Sequence, residues 1–138
     1  MRLVVLDTNV LVSAGINPHG PPGKIVMDWV LEGLVQPVLC PSVAAEYRQV
    51  FGRSKFQAHG FPPYWLEYFI ENSLMLNEPG PWPLKGPDPD DLRFLALAQS
   101  AGAWLVTGNL VHYPAGIRQG VTVVHPVQYL SSNIGEQS

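Results

Sequence analysis

Residues Leu3 to Leu6 are apolar without a break, Val4 and Val5 are β-branched, and the run stops at an acidic residue, Asp7. A short unbroken apolar run with β-branched members reads as a strand buried on both faces, as in the middle of a parallel sheet. Asp7 then stands at the carboxyl end of a central strand, where open α/β sheets place their ligands. Thr8 and Asn9 follow, able to hydrogen-bond locally or to cap a helix begun by Val10, Leu11 and Val12. Taken alone, Asp7 serves equally well as a turn or cap residue.

The rest of the chain alternates. Gly15 to Gly23 reads as a loop, and Lys24 to Leu34 as a helix with Ile25, Val26, Trp29 and Val30 at helical spacing and Gly33 near its end. Gln36 to Cys40 is a second short buried strand, with Cys40 a small buried hydrophobe. Pro41-Ser42 opens a helix with Ser42 as its N-cap, Val43, Tyr47 and Val50 on its apolar face, and Glu46 one turn in. Pro62-Pro63 starts another, predicted to run to about Leu76, with Trp65, Leu66, Phe69 and Ile70 at core spacing. Glu78 to Pro87, dense in proline and glycine, is a loop or edge segment. Asp88 caps, and Pro89 begins, a helix that Gly102 ends after Ala101. Trp104 to Thr107 is a third strand, closing on Thr107-Gly108-Asn109, and Val121 to Val124 a fourth, followed by His125-Pro126 and a short closing turn. Strands alternating with helices predict one α/β domain over residues 1–138 around a mainly parallel sheet.

The formal net charge is -3 and the pI about 5.7, which argues against strong non-specific nucleic-acid binding, because phosphate affinity comes from clustered Lys and Arg. A nuclease remains compatible, since its site must hold metal-binding carboxylates. The one basic and aromatic cluster is Arg48, Arg53 and Lys55 with Phe51 and Phe56 between them, and these three cations are the candidate RNA contacts. A secretory signal and an 18-residue apolar run are both missing, which predicts a soluble cytoplasmic protein with no membrane association.

Four polar points fall at comparable places: Asp7 and Asn109 just after strands, Glu46 on an early helix, Asp91 at a helix start. If the two strands are neighbours, Asp7 and Asn109 project into one crevice. Hard cations such as Mg²⁺ and Mn²⁺ take oxygen ligands from a few carboxylates, with waters and substrate phosphate completing the shell. Zinc is not indicated, because His19, His59, His112 and His125 are scattered with no pair at i, i+3 or i+4. Neither a Gly-rich phosphate fingerprint nor an elbow around Ser13 or Ser42 is present. Each acid also has a structural explanation: carboxylates in a first helical turn stabilise it by roughly 0.3–1 kcal/mol, which suffices for Asp88, Asp90 and Asp91 singly.

Together the blocks carry more. Leu-Asp-Thr-Asn (6 to 9), Pro-Ser-Val-Ala-Ala-Glu-Tyr (41 to 47), Asp-Pro-Asp-Asp (88 to 91) with Leu-Ala-Leu-Ala (95 to 98), and Gly-Ala-Trp-Leu-Val-Thr-Gly-Asn (102 to 109) resemble, in order, the blocks of the PIN domain, closest to its branch of toxin components of toxin–antitoxin systems. The resemblance implies a three-layer α/β/α fold around a central, mainly parallel sheet of four to five strands. It also implies cleavage of single-stranded RNA with Mg²⁺ or Mn²⁺, an antitoxin protein as partner, and a homodimer, for which Trp65, Tyr68 and Phe69 are the candidate contacts. Residue by residue, the family's metal-holding acids fall on Asp7, Glu46 and Asp91, the last chosen over Asp88 and Asp90 by its distance from Gly102. The fourth acidic position falls on Asn109, a departure that removes a charge while keeping an oxygen ligand. Thr8, Asn9 and Thr107 would orient the ligands. The expected activity is a metal-dependent endoribonuclease using Asp7, Glu46, Asp91 and Asn109. The rival expectation is a weak or inactive PIN-like module that binds RNA or a protein.

Overall fold

A computed structural model of the chain describes residues 2–53 and 63–132. Lys55, Phe56, His59 and Pro62 lie outside the described residues. Five strands, β1 (Arg2–Leu6), β2 (Val35–Leu39), β3 (Leu74–Met75), β4 (Trp104–Val106) and β5 (Val123–Val124), form one parallel sheet in the order β3-β2-β1-β4-β5. The helices are α1 (Thr8–Ile16), α2 (Pro21–Gly23), α3 (Pro41–Phe51), α4 (Pro63–Glu71), α5 (Leu92–Ala101) and α6 (Pro126–Leu130). This is the expected α/β/α architecture, at the upper end of four to five strands.

β1 is the middle strand, and its burial follows from its sequence: Val4, Val5 and Leu6 are at most 1% exposed. It pairs with β2 through Val4↔Pro37 and with β4 through Leu6↔Val106. Pro37 cannot donate to a ladder, so it belongs where one neighbour is missing. β3 meets β2 only from Val38 onward, which leaves Pro37 on an unpaired stretch of edge.

Several local expectations are corrected. α1 passes through Gly15 to Ile16, and Asn17, its C-cap, leaves the helical conformation (φ -134°, ψ 89°) before Pro18. The predicted helix over 24–34 begins earlier, at Pro21, and continues as a π-helical stretch, Lys24–Trp29, closed by bonds such as Val30 N–H to the Ile25 carbonyl. The predicted helix to Leu76 stops at Glu71, because Asn72 and Ser73 donate their side-chain hydrogens back to the Tyr68 and Phe69 carbonyls at 2.8 and 2.7 Å. The freed residues Leu74 and Met75 supply the fifth strand. Ser42 is not the cap of α3: Cys40 holds that position, and the Ser42 N–H and hydroxyl both donate to Glu78, at 2.8 and 2.6 Å. Asp88 does cap, accepting from Asp90 N–H at 3.0 Å at the head of a 3₁₀ turn, Pro89–Asp91, that runs into α5. Gly102 ends α5 with φ 64°, as a helix-terminating glycine should. No helix among the described residues is long and apolar enough to cross a membrane.

Gly23 is fixed by close approach, since a Cβ there would lie 2.1 Å from the Pro18 carbonyl oxygen. Gly23→Ala should therefore destabilise the chain by about 1–3 kcal/mol, the usual cost of overpacking. Chemical denaturation of both proteins measures this, and unchanged stability would show that the α1–α2 connection is not tight.

Candidate active site

The order β3-β2-β1-β4-β5 reverses direction at β1, because the chain first builds outward through β2 and β3 and then crosses back to β4. The crevice beyond the carboxyl ends of β1 and β4 is thus the topological switch point where α/β sheets bind ligands. Asp7 leaves β1 there, its N–H bonded to the Val106 carbonyl at 2.9 Å. Asp7 is 4% exposed, and its Oδ2 accepts from the Thr107 hydroxyl at 2.9 Å and the Tyr113 hydroxyl at 2.8 Å. Burial pushes the Asp7 pKa up, and those two donors pull against it.

Thr107, fully buried, is a hub: it also accepts from Asn109 N–H at 3.0 Å and from the Asn9 amide at 3.4 Å. Asn9 in turn accepts from Gly108 N–H at 2.8 Å, so the loop after β4 is tied to the start of α1. Thr8 donates its hydroxyl to Glu46 Oε2. Glu46 comes from α3, which is anchored to the end of β1 by the Tyr47 hydroxyl donating to the Leu6 carbonyl.

Asp91, 9% exposed, closes the group from the 3₁₀ turn before α5. The Asp7 charge is felt at both other carboxylates. Burial is the main cause of the upward shift at Glu46, and the Asp7 charge adds to it. At Asp91 burial and then Asp7 push the pKa to about 6. Glu46 Oε1 and Asp91 Oδ1 have no protein donor among the described residues. Such carboxylate oxygens are the ligand type that hard divalent cations take.

Three participants were not singled out from the sequence. His112, in a 3₁₀ turn after Asn109, places Nδ1 2.6 Å from Asp91 Oδ2 and Nε2 3.0 Å from the Asn109 amide nitrogen. An amide nitrogen only donates, so Nε2 accepts and the imidazole proton sits on Nδ1, pointing at Asp91. Asn109 thus has its amino group engaged, and its carbonyl oxygen is the atom it can offer a cation. Asp88, Asp91 and His112 together bring ligand atoms within 4.8 Å of one another, a grouping the search for histidine pairs could not find. Tyr113 reaches Asp7, and Arg93 brings a cation whose charge lowers the Glu46 pKa. The spacing of His112 from Asn109, three residues within one turn, was the available signal.

The expected RNA contacts are placed differently. Arg48 is two residues beyond Glu46, so it leaves α3 on another side, and there it forms a two-point ion pair with Glu67 at 2.9 and 3.0 Å. Arg53 is exposed at the end of the same helix, and Lys55 lies outside the described residues.

The PIN domain profile matches residues 3–111, and the chain belongs to the PIN domain family. An uncharacterized protein of Methanocaldococcus jannaschii is 49% identical over 43 residues, 31% of this chain but only 27% of that protein. Among solved structures, VapBC2 from Rickettsia felis bound to a DNA fragment from their promoter is similar with TM-score 0.60 and 18% identity, covering 89% of this chain and 98% of that chain. FitAB bound to the IR36 DNA fragment is similar with TM-score 0.53 and 20% identity, covering 89% and 94% of the two chains. A domain of a functionally unknown protein from M. jannaschii gives TM-score 0.54, 19% identity and 89% of each chain. At these identities the likeness is one of fold.

The raised Asp91 pKa makes a pH prediction for the metal-free protein. Between its ordinary 3.8 and about 6, Asp91 binds more protons folded than unfolded, so its stabilising contribution is full below that window and lost as the pH climbs through it. Stability should fall as the pH rises from about 4 to about 6, and Asp91→Asn should flatten that slope. At pH 7.5 the same substitution should raise the melting temperature by roughly 3 °C, or about 1 kcal/mol after allowance for solvent screening. A lower melting temperature for the EDTA-treated variant would sink this account of the site.

Proposed function

We propose that the chain is a metal-dependent endoribonuclease acting on single-stranded RNA, as the toxin component of a toxin–antitoxin pair in the cytoplasm. The observation that carries this reading is the placement of Asp7 at the end of β1, Glu46 on α3 and Asp91 before α5, with the Asp7 charge adding to the burial that raises the pKa of both Glu46 and Asp91. Family membership supports it, since PIN domains are generally nucleases that use divalent metal. Asp7, Glu46 and Asp91 would hold Mg²⁺ or Mn²⁺, with the Asn109 carbonyl oxygen assisting. Bound there, the cation supplies Lewis acidity at the phosphate and lowers the pKa of water.

The protein's own groups do the rest. Thr107 and Tyr113 lock the Asp7 carboxylate in one orientation, and Thr8 does the same for Glu46. His112 orients Asp91 through its Nδ1 proton. Arg93 lies close enough to Glu46 to shift it electrostatically and supplies positive charge beside the acids. Fold likeness to VapBC2 and FitAB, both solved on DNA fragments, supports an antitoxin partner.

Mn²⁺ at millimolar concentration should raise the melting temperature, because a ligand that binds only the folded state stabilises it by mass action. Asp7→Asn should abolish that shift, and Asp7→Asn and Asp91→Asn should each eliminate cleavage of an end-labelled single-stranded RNA. Cleavage that persists in EDTA or in Asp7→Asn would overturn the reading. Asn109→Asp should tighten Mn²⁺ binding while changing the cleavage rate only modestly. If wild type is inert and this variant cuts, the domain is a binding module that has lost its chemistry.

A homodimer is part of the same proposal. Trp65 and Phe69 stack into the core, with ring centroids 5.9 Å apart, so of the three expected contacts only Tyr68 is exposed. Tyr68 and the exposed Leu31 border an apolar hollow of about 470 Å³ floored by Val30, Trp65 and Phe69. Sedimentation at micromolar concentration should give a dimer that Tyr68→Arg dissociates. A wild-type monomer would exclude self-association.

A further inference from the structure

The proline-rich stretch that follows β3 is more than a connection. It lies against the start of α5 and encloses a cleft of about 340 Å³, walled by Pro79, Pro81 and Trp82 on one side and by Arg93 and Ala96 on the other. A second hollow of about 340 Å³ shares Pro79, Pro81, Trp82 and Ala96 and leads on to Ser100. Trp82 is fixed in place, its indole N–H donating to the Ile117 carbonyl at 2.8 Å. Arg93 is held by the Asp90 and Ser42 carbonyls at 2.8 and 3.2 Å.

The cleft adjoins the acidic cluster through its walls. Ser42, on one rim, precedes Glu46 by a single helical turn, about 6 Å along α3. Pro89, on another, opens the turn that carries Asp91, and the charge of Arg93 reaches Glu46. A strand whose phosphate sits at the carboxylates would lay its neighbouring nucleotide here.

The lining chemistry selects a base over a phosphate. Glu78 lines the cleft along with Arg93, so the two opposite charges leave little net attraction for a bare anion. Flat pyrrolidine and indole surfaces suit the faces of a nucleobase, and a carboxylate beside a guanidinium offers an acceptor and donors to its polar edge. We propose that this cleft is a subsite for one nucleobase of the RNA strand, flanking the scissile phosphate; the proposal rests on the ribonuclease reading above.

The test uses the full chain in EDTA, titrated by calorimetry with cytidine 5′-monophosphate and, separately, with inorganic phosphate. Two variants narrow the cleft: Ala96→Leu from the helix wall, and Gly80→Leu from the loop, where an added Cβ meets nothing within 4 Å. The nucleotide should bind wild type at least tenfold more tightly than phosphate does. Each variant should weaken nucleotide binding at least tenfold, retain the Mn²⁺ thermal shift, and raise KM for a short RNA with kcat within threefold. Phosphate binding as tightly as the nucleotide, or nucleotide binding unchanged in both variants, overturns the subsite. Nucleotide binding with no metal-dependent cleavage by wild type refutes the ribonuclease reading instead, while cleavage without nucleotide binding refutes the cleft alone.

Discussion

The buried carboxylate of Asp7 is the constraint on which the rest of the arrangement depends. Taking an ionised group out of water is costly unless hydrogen-bond donors surround it. Here the donors come from two later parts of the chain, Thr107 after β4 and Tyr113 beyond it. Satisfying Asp7 therefore requires β4 to lie beside β1 and the following turns to fold back over the sheet. The same folding delivers Asn109 and His112 to the crevice. Even so, the Asp7 pKa stays raised, and its charge elevates Glu46 and Asp91 in turn. An acidic cluster left in this state stores electrostatic repulsion that a divalent cation relieves.

Much of this was legible in the residues. The apolar run Leu3 to Leu6, ended by Asp7, reads as a central strand with an acid at its carboxyl end, and the strand buries Val4, Val5 and Leu6 while Leu3 is half-buried. Asp88 and Pro89, with Gly102 to close, marked α5 for the same kind of reason: cap chemistry is local. What escaped depended on distant partners. Ser42 has the chemistry of a cap, but Glu78, 36 residues on, takes both its donors, and Cys40 holds the cap position. The fifth strand is two residues long and pairs only with the end of β2, so no periodicity could announce it.

The site residues divide in the same way. Asp7, Glu46 and Asp91 stood at element ends but were singled out through the family resemblance, whereas His112, Tyr113 and Arg93 make contacts that only the folded chain creates. His112 changes the meaning of Asn109. The Asn109 carboxamide lies 3.0 Å from Nε2 and can donate to it, a contact an aspartate carboxylate could not make in the same sense. Asn109, His112 and Asp91 thus form one hydrogen-bond relay in which each donor meets an acceptor. Such a relay orients Asp91 without adding charge to a cluster already raised by burial.

Charge distribution then bears on how the proposed substrate would be held. The chain carries eight Lys and Arg against eleven Asp and Glu, and Arg48 is neutralised by Glu67. Affinity for a polyanion built on many phosphate contacts needs clustered cations, and the described residues near the acids offer Arg93 beside Glu78. On the proposed reading, attraction for RNA at this end of the sheet would come instead from a cation held by the carboxylates and from base surface against Trp82 and its flanking prolines. A site of that kind binds few phosphates and gains its discrimination from where one base can lie. On the proposed reading this division of labour would reconcile an overall acidic domain with a nucleic-acid substrate: the acids alone would repel the strand, and a divalent ion held by them would supply the local attraction for a phosphate.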